Sequence, residues 1–232
     1  MYVVKANVYG HGAIEVSRLA EHIGVDWLGV ATVPEGLQLR EAGIRLPILK
    51  FSPAFEEEMD AALRGDITLA VCERSNVDSL QRSCWAAGLS ARVHLKVDTG
   101  MGRIGVSVEE APALAAHIEQ NCPDIHLEGI FTHLPVSDEA DPTYTCGQIT
   151  RFKAVIDSIH AAIGRKVSLV HCSNSGAVLG HEPGWLDMVR PGIMIYGFYP
   201  DAGTPRSIPL KPGLSFLTRI SFLKKVKAGT AI

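Results

Sequence analysis

The chain has 232 residues, 47% of them hydrophobic and 20% charged, with a formal net charge of −3. That balance describes an ordinary globular protein with a sizeable core, gives no support to a nucleic-acid or membrane-surface role, and leaves no apolar run long enough to span a bilayer. Cys72, Cys84, Cys122, Cys146 and Cys172 are odd in number and lack CxxC or other zinc spacing, and no basic leader precedes the first apolar run, so free thiols in a reducing cytoplasm and no metal are expected.

Apolar strand-like runs alternate with helical patterns from the first residues onward. Strands are predicted over Tyr2–Ala6, Asp26–Thr32, Pro47–Phe51, Ile67–Val71, Ala91–Asp98, Ile125–His133, Val167–His171 and Leu186–Arg190. Helices are predicted near Ala13–Ile23, Pro34–Ala42, Phe55–Arg64, Ser75–Ala87, Val108–Asn121, Cys146–Ile163 and, more briefly, Ser175–Leu179. Ser75 is placed to cap its helix, and Gly24, Gly43, Gly65, Gly88 and Gly164 to close others. This alternation implies parallel strands with right-handed crossovers, and eight strands favour a TIM-type (β/α)8 barrel over an open sheet. The pattern changes after Gly197: Tyr199–Lys211 reads as a connector and Leu214–Val226 as a strand. Residues 1–198 are therefore predicted to form the barrel, and residues 199–232 a connector with the opening strand of a C-terminal β-domain.

In a parallel barrel the loops beyond the C-terminal strand ends share one rim, where a site is built. Val3-Val4-Lys5-Ala6-Asn7-Val8-Tyr9-Gly10-His11-Gly12 delivers a lysine from a buried strand into a glycine-rich turn. Alone, Lys5 would be a strand-end lysine snorkelling to water; a desolvated amine is also a nucleophile toward an aldehyde. His94-Leu95-Lys96-Val97-Asp98-Thr99-Gly100-Met101-Gly102-Arg103 puts Lys96 and Asp98 on one face of the fifth strand, where their charges need partners, and projects Arg103 from a loop flexible enough to approach a ligand. Phe131-Thr132-His133 ends the sixth strand. His171-Cys172-Ser173-Asn174-Ser175-Gly176 follows the seventh and opens a helix, and Arg190-Pro191-Gly192-Ile193 follows the eighth. Loops after strands seven and eight commonly form a phosphate site, for which Ser175 supplies a hydroxyl and Gly192 and Ile193 backbone amides.

These four segments, in this order, resemble those of alanine racemases. The resemblance implies pyridoxal 5′-phosphate (PLP) as cofactor, held as a Schiff base by Lys5, with Tyr9 donating to its phosphate, Asn174 and Ser175 in the phosphate loop, and His133 against the ring. It further implies Arg103 at the cofactor's phenolic oxygen and the substrate carboxylate, oriented by a Lys96 that many members carry as a carbamate. Arg190 would face the pyridine nitrogen; a permanently charged group that only donates leaves that nitrogen unprotonated, which favours racemisation over transamination. The catalytic set expected is Lys5, Arg103 and His133. The implied function is interconversion of L- and D-alanine, supplying D-alanine for peptidoglycan, on a small amino-acid substrate, by a cytoplasmic homodimer. Leu134-Pro135-Val136-Ser137 stands where the family often has Phe-Ala-Thr-Ala. The family's helix before the lysine strand, and its C-terminal tyrosine, have no match here, so the chain alone is expected to be at best weakly active. Competing readings are a non-catalytic single-domain PLP-binding protein, a PLP decarboxylase on the same barrel, and a racemase for serine or another small amino acid. The decarboxylases present a His-x-x-Gly-Asn segment and a carboxylate at the pyridine nitrogen, where this chain has Arg190.

Overall fold

A computed structural model describes residues 1–231. Its parallel strands are β1 (Tyr2–Val3), β2 (Leu28–Val30), β3 (Ile48–Lys50), β4 (Ile67–Val71), β5 (Ala91–Asp98), β6 (Val106–Ser107), β7 (Ile125–Phe131) and β8 (Leu169–His171). They lie in the order β1-β2-β3-β4-β5-β7-β8, with the short β6 pairing only with β5. The longer helices α2 (Ala13–His22), α3 (Val33–Glu41), α4 (Glu56–Arg64), α5 (Arg74–Ala87), α6 (Ala111–Asn121) and α7 (Thr143–Ile163) connect successive strands, and the short α8 (Ser175–Gly180) follows β8. Every residue of β2, β3 and β4 is buried, as expected for strands covered on both faces. No helix among the described residues is long and apolar enough to cross a membrane.

The eighth predicted strand, Leu186–Arg190, closes the ring without a regular ladder. Asp187 N–H donates to Val170 O (3.1 Å) and Arg190 N–H to Ser173 O (2.8 Å) on the β8 side. On the other side Val3 N–H reaches Pro191 O (3.2 Å) and the terminal amine reaches Val189 O (3.0 Å). Leu186 at φ 42° and the missing N–H of Pro191 break the repeat that a ladder needs.

Two further expectations are corrected. Glu73, without a side-chain cap, sits at the N-cap of α5, so Ser75 lies inside the helix. Leu214–Val226 forms no strand: Phe216, Leu217, Ile220, Phe222 and Leu223 stand exposed, with no neighbouring strand to pair their backbone and no layer to bury alternate side chains. Gly88 and Gly164 do close their helices in the left-handed conformation.

β1 ends early because the chain turns left-handed. Within the one-turn helix α1 (Lys5–Tyr9), Ala6, Asn7, Val8 and Tyr9 have φ of 52°, 51°, 57° and 50°. This conformation is unfavourable by roughly 1–2 kcal/mol for each L-residue and is most unusual for β-branched Val8. Neighbouring groups hold it. Glu35 accepts from Ala6 N–H (2.8 Å) while its other oxygen closes the capping box of α3, and Asn7 Oδ1 accepts from Ala13 N–H (2.8 Å). Val8 is fully buried. Asn7→Ala is expected to lower stability by about 1–2 kcal/mol, because it removes both an acceptor and a residue that tolerates this backbone. Denaturant unfolding at constant m-value measures it; an unchanged midpoint would mean that the turn is not held this way.

Candidate active site

At the C-terminal rim lies a cavity of about 630 Å3, a size suited to a small cofactor with its substrate. Lys5, Tyr9, Lys96, Arg103, His133, Asn174, Ser175, Arg190, Gly192 and Ile193 all line it, so the barrel brings every candidate residue to one space. Among its lining residues Lys5, Lys96, Arg103 and Arg190 are cationic, and Asp138 is the one carboxylate. Such a surplus, partly shielded from water, favours an anionic guest.

The loops are built from the chain's own short-range chemistry. Asp98 accepts from the N–H groups of Gly100, Met101 and Gly102, each at 2.8 Å. It thereby fixes the loop that carries Arg103 and pairs with neither Lys96 nor an arginine. Asn174 is the N-cap of α8, accepting from Ala177 N–H (3.1 Å) and Ser137 Oγ–H (2.6 Å) and donating to Leu134 O (2.8 Å). The amide of Asn174 is thus used to lock the β7 and β8 loops together. Gly176 makes the lock possible: a Cβ there would sit 2.8 Å from Ser137 Oγ. The divergent Leu134–Ser137 stretch keeps an ordered shape through these contacts. Ser175 Oγ accepts from Gly192 N–H (2.9 Å) and Met194 N–H (3.3 Å), so Met194 joins the predicted amide pair. The N–H groups of Ser175, Gly176 and Ile193 have no protein acceptor among the described residues.

Arg190 is 4% exposed and has no carboxylate partner; burial lowers its pKa to about 10. Its guanidinium donates to Thr132 O (2.8 Å), Cys172 O (3.0 Å) and His171 Nδ1 (2.8 Å). Because arginine only donates, His171 accepts at Nδ1 and carries its proton on Nε2, which donates to His94 Nδ1 (2.8 Å). His94 then presents Nε2–H toward Glu128 Oε2, 3.6 Å away. Gly129 allows this line, since a Cβ there would lie 2.6 Å from the His94 ring. Phe131 stacks on His171 (5.0 Å, 5°) with the cations of Lys96 and Arg190 at 5.3 and 5.5 Å from its ring, forming an apolar wall of the cavity. His171, His94, Glu128 and Phe131 carried no role in the sequence reading. The alternation His94, Lys96, Asp98 is the one signal that marks His94 as inward-facing.

Burial, with Arg103 and Arg190, lowers the Lys96 pKa to about 8, so its amine is partly neutral near neutrality. Burial, with Arg190, Arg103, Lys96 and Lys5, lowers that of His133 to about 3. Burial also lowers His94, against the opposing pull of Glu128, and takes His171 well below its usual range. Below the unfolded histidine value of about 6.5 the unfolded chain binds protons that these three rings refuse. Stability is therefore expected to fall as pH drops through that region, by up to about 1.4 kcal/mol per histidine for each pH unit. A Tm unchanged between pH 7 and pH 5 would show that the rings protonate in place.

Comparison with known proteins gives a single answer. Residues 1–200 match a family model described as alanine racemase, N-terminal domain. The alanine racemase of Cutibacterium acnes is 43% identical over 234 residues, covering 100% of this chain and 62% of that protein. That of Chlorobaculum tepidum is 40% identical over 235 residues, with 100% and 61% covered. Among solved structures, alanine racemase of Clostridium difficile in complex with cycloserine has a TM-score of 0.88 at 37% identity, covering 91% of this chain and 58% of that one. The Bacillus anthracis enzyme with bound L-Ala-P has a TM-score of 0.84 at 32% identity, with 91% and 55% covered. The chain spans roughly three fifths of the length of these curated relatives.

Proposed function

Because this chain belongs to the alanine racemase family, we propose that it forms the PLP-binding barrel of an enzyme that interconverts L- and D-alanine. The observation that carries the reading is the cavity: one strand-mouth lysine, three further cations against one carboxylate, and unpaired loop amides on the same rim. These residues fit the cofactor. Lys5 would take its aldehyde carbon. Tyr9, the Ser175 hydroxyl and the amides of Gly192 and Ile193 would take its phosphate, a dianion suited to free N–H groups. In that arrangement Ser175 exchanges its bonds from Gly192 and Met194 for the phosphate, and Asn174 acts by holding the loop. Arg190 would face the pyridine nitrogen, Arg103 the phenolic oxygen and the substrate carboxylate, and His133 the ring.

PLP, when bound, supplies an electron-withdrawing ring conjugated to the substrate's Cα. The protein selects the reaction path. Arg190 has no proton acceptor to offer and, held by three neutral acceptors, cannot swing away; it leaves the pyridine nitrogen bare and limits electron withdrawal. A charge that stays brief at Cα is reprotonated there. With cofactor and substrate in place, the Lys5 amine would be the group that removes or returns the Cα proton on one face. His133, kept neutral, adds no further cation to the cavity. A partly neutral Lys96 amine adds to CO2, releasing a proton and becoming an anionic carbamate; lying among Arg103 and Arg190, that anion would offset their repulsion and orient Arg103.

Racemisation also needs a proton donor on the opposite face. We assign that group to a tyrosine of a C-terminal β-domain from a second subunit, with residues 199–232 leading into that domain and the enzyme working as a homodimer. The five cysteines are unpaired, in keeping with a reducing cytoplasm. D-alanine so made would serve peptidoglycan. The full-length protein with PLP, incubated with L-alanine in D2O, is expected to yield racemic alanine deuterated at Cα. Retention of L-alanine with no deuterium would overturn the proposal.

A further inference from the structure

On the outside of the barrel, away from the cavity, three ligand-type side chains from two helices converge. Asp78 lies on α5, His117 on α6, and Cys122 at the C-cap of α6. His117 Nε2 is 2.6 Å from Asp78 Oδ1 and 3.9 Å from Cys122 Sγ, and the three ligand atoms all lie within 4.8 Å of one another. We propose that Asp78, His117 and Cys122 bind one divalent ion of the zinc class, clamping α5 to α6.

The donor set selects the metal. Thiolate, imidazole and carboxylate together suit Zn2+ or Co2+ and are poor for Mg2+ or Ca2+, which require oxygen ligands. A thiolate and a carboxylate also neutralise a dication, once the Cys122 proton has left for water. Tetrahedral bonds of about 2.0–2.3 Å separate neighbouring nitrogen and sulfur ligands by roughly 3.5 Å. The present 3.9 Å between Nε2 and Sγ is close to that span, and Asp78 Oδ1 has to withdraw by several tenths of an ångström. Asp78 has room to do so, because its side chain is 41% exposed and its other oxygen is only loosely met by Arg74 Nε at 3.9 Å.

A plain ion pair between His117 and Asp78 accounts for one of these contacts. The buried Cys122 thiol makes a weak sulfur contact to the same nitrogen, so three ligand-type atoms converge on one point. On the far side of the imidazole, Asn121 Nδ2 lies 3.2 Å from His117 Nδ1, so the amide is within reach of the nitrogen that a metal-bound histidine uses to donate. A half-turn of that amide presents its oxygen to the Nδ1–H of a metal-bound ring. Three protein ligands would leave the fourth position for water, the arrangement of an open site.

The test uses the chelator-treated chain titrated with Co2+, whose bond to a thiolate gives an intense near-ultraviolet charge-transfer absorption. One equivalent is expected to bind with a Kd of about 10 µM or tighter, Zn2+ is expected to displace it, and Zn2+ alone to raise Tm by several degrees. Cys122→Ser should abolish the thiolate absorption and Asp78→Asn should weaken binding at least about tenfold. Because Cys122 is buried, the surface variant Asp78→Asn keeps the test decisive if Cys122→Ser folds poorly. Absence of a saturable thiolate absorption below about 100 µM Co2+ would overturn the proposal. So would an absorption that survives in folded Cys122→Ser, or equal affinity in Asp78→Asn.

Discussion

Lys5→Ala in the full-length enzyme is expected to abolish racemisation in both directions and to lose the covalent hold on PLP. The lysine is assigned two roles, nucleophile toward the cofactor aldehyde and proton carrier at Cα, and a general acid–base group alone contributes about 10²–10⁴-fold. No other lysine replaces it. Lys96 also lines the cavity, but its amine is directed to Phe51 O at 3.4 Å and sits over the Phe131 ring. Alanine at position 5 keeps the backbone path, so the left-handed turn and its anchors to Glu35 and Ala13 should survive. The mutant is therefore expected to unfold near the parent's midpoint while showing no turnover. Residual activity within tenfold of the parent would remove Lys5 from the mechanism.

Arg190→Glu is the second large effect. It is expected to cut racemisation by about 10²-fold or more and to divert alanine to pyruvate with conversion of the cofactor to its amine form. A carboxylate opposite the pyridine nitrogen stabilises its protonated form, which arginine cannot do, and a charged ring withdraws electrons from Cα for longer. The substitution also strips three acceptors of their donor, Thr132 O, Cys172 O and His171 Nδ1, in a place shielded from water. Each dry acceptor is unfavourable by roughly 1–3 kcal/mol, so a lowered Tm should accompany the change in chemistry. Pyruvate is read by a coupled dehydrogenase and D-alanine by chiral chromatography. An unchanged rate with no pyruvate would mean that Arg190 does not face the ring.

Much of this was legible in the chain, and what was not has definable physical reasons. β4 and β5 run over the predicted residues: β4 is a nearly continuous apolar run, as a strand buried on both faces is, and β5 alternates apolar residues with Arg92, His94, Lys96 and Asp98. The rim residues were legible because four short segments each carry their own glycines, caps or charges, and the strand order alone carries them to one end of the barrel. The left-handed turn was hidden: Ala6, Val8 and Tyr9 have no preference for that backbone, and it is imposed by Glu35, nearly thirty residues away in the chain. The Arg190–His171–His94 line was equally hidden, since its contacts span 19 and 77 residues and depend on the absent side chain of Gly129. Leu214–Val226 has strand-like residues but no partner within the described chain, and β propensity expresses itself only against a neighbour.

The claim on which the rest depends is that Lys5 is the residue that carries PLP. Reconstitution with PLP, reduction with borohydride, digestion and mass mapping locate the carrier directly. The account predicts one phosphopyridoxyl group per chain, on the N-terminal peptide at Lys5, with none after Lys5→Ala. A label found on Lys96 or on a surface lysine, with Lys5 unmodified, would contradict it.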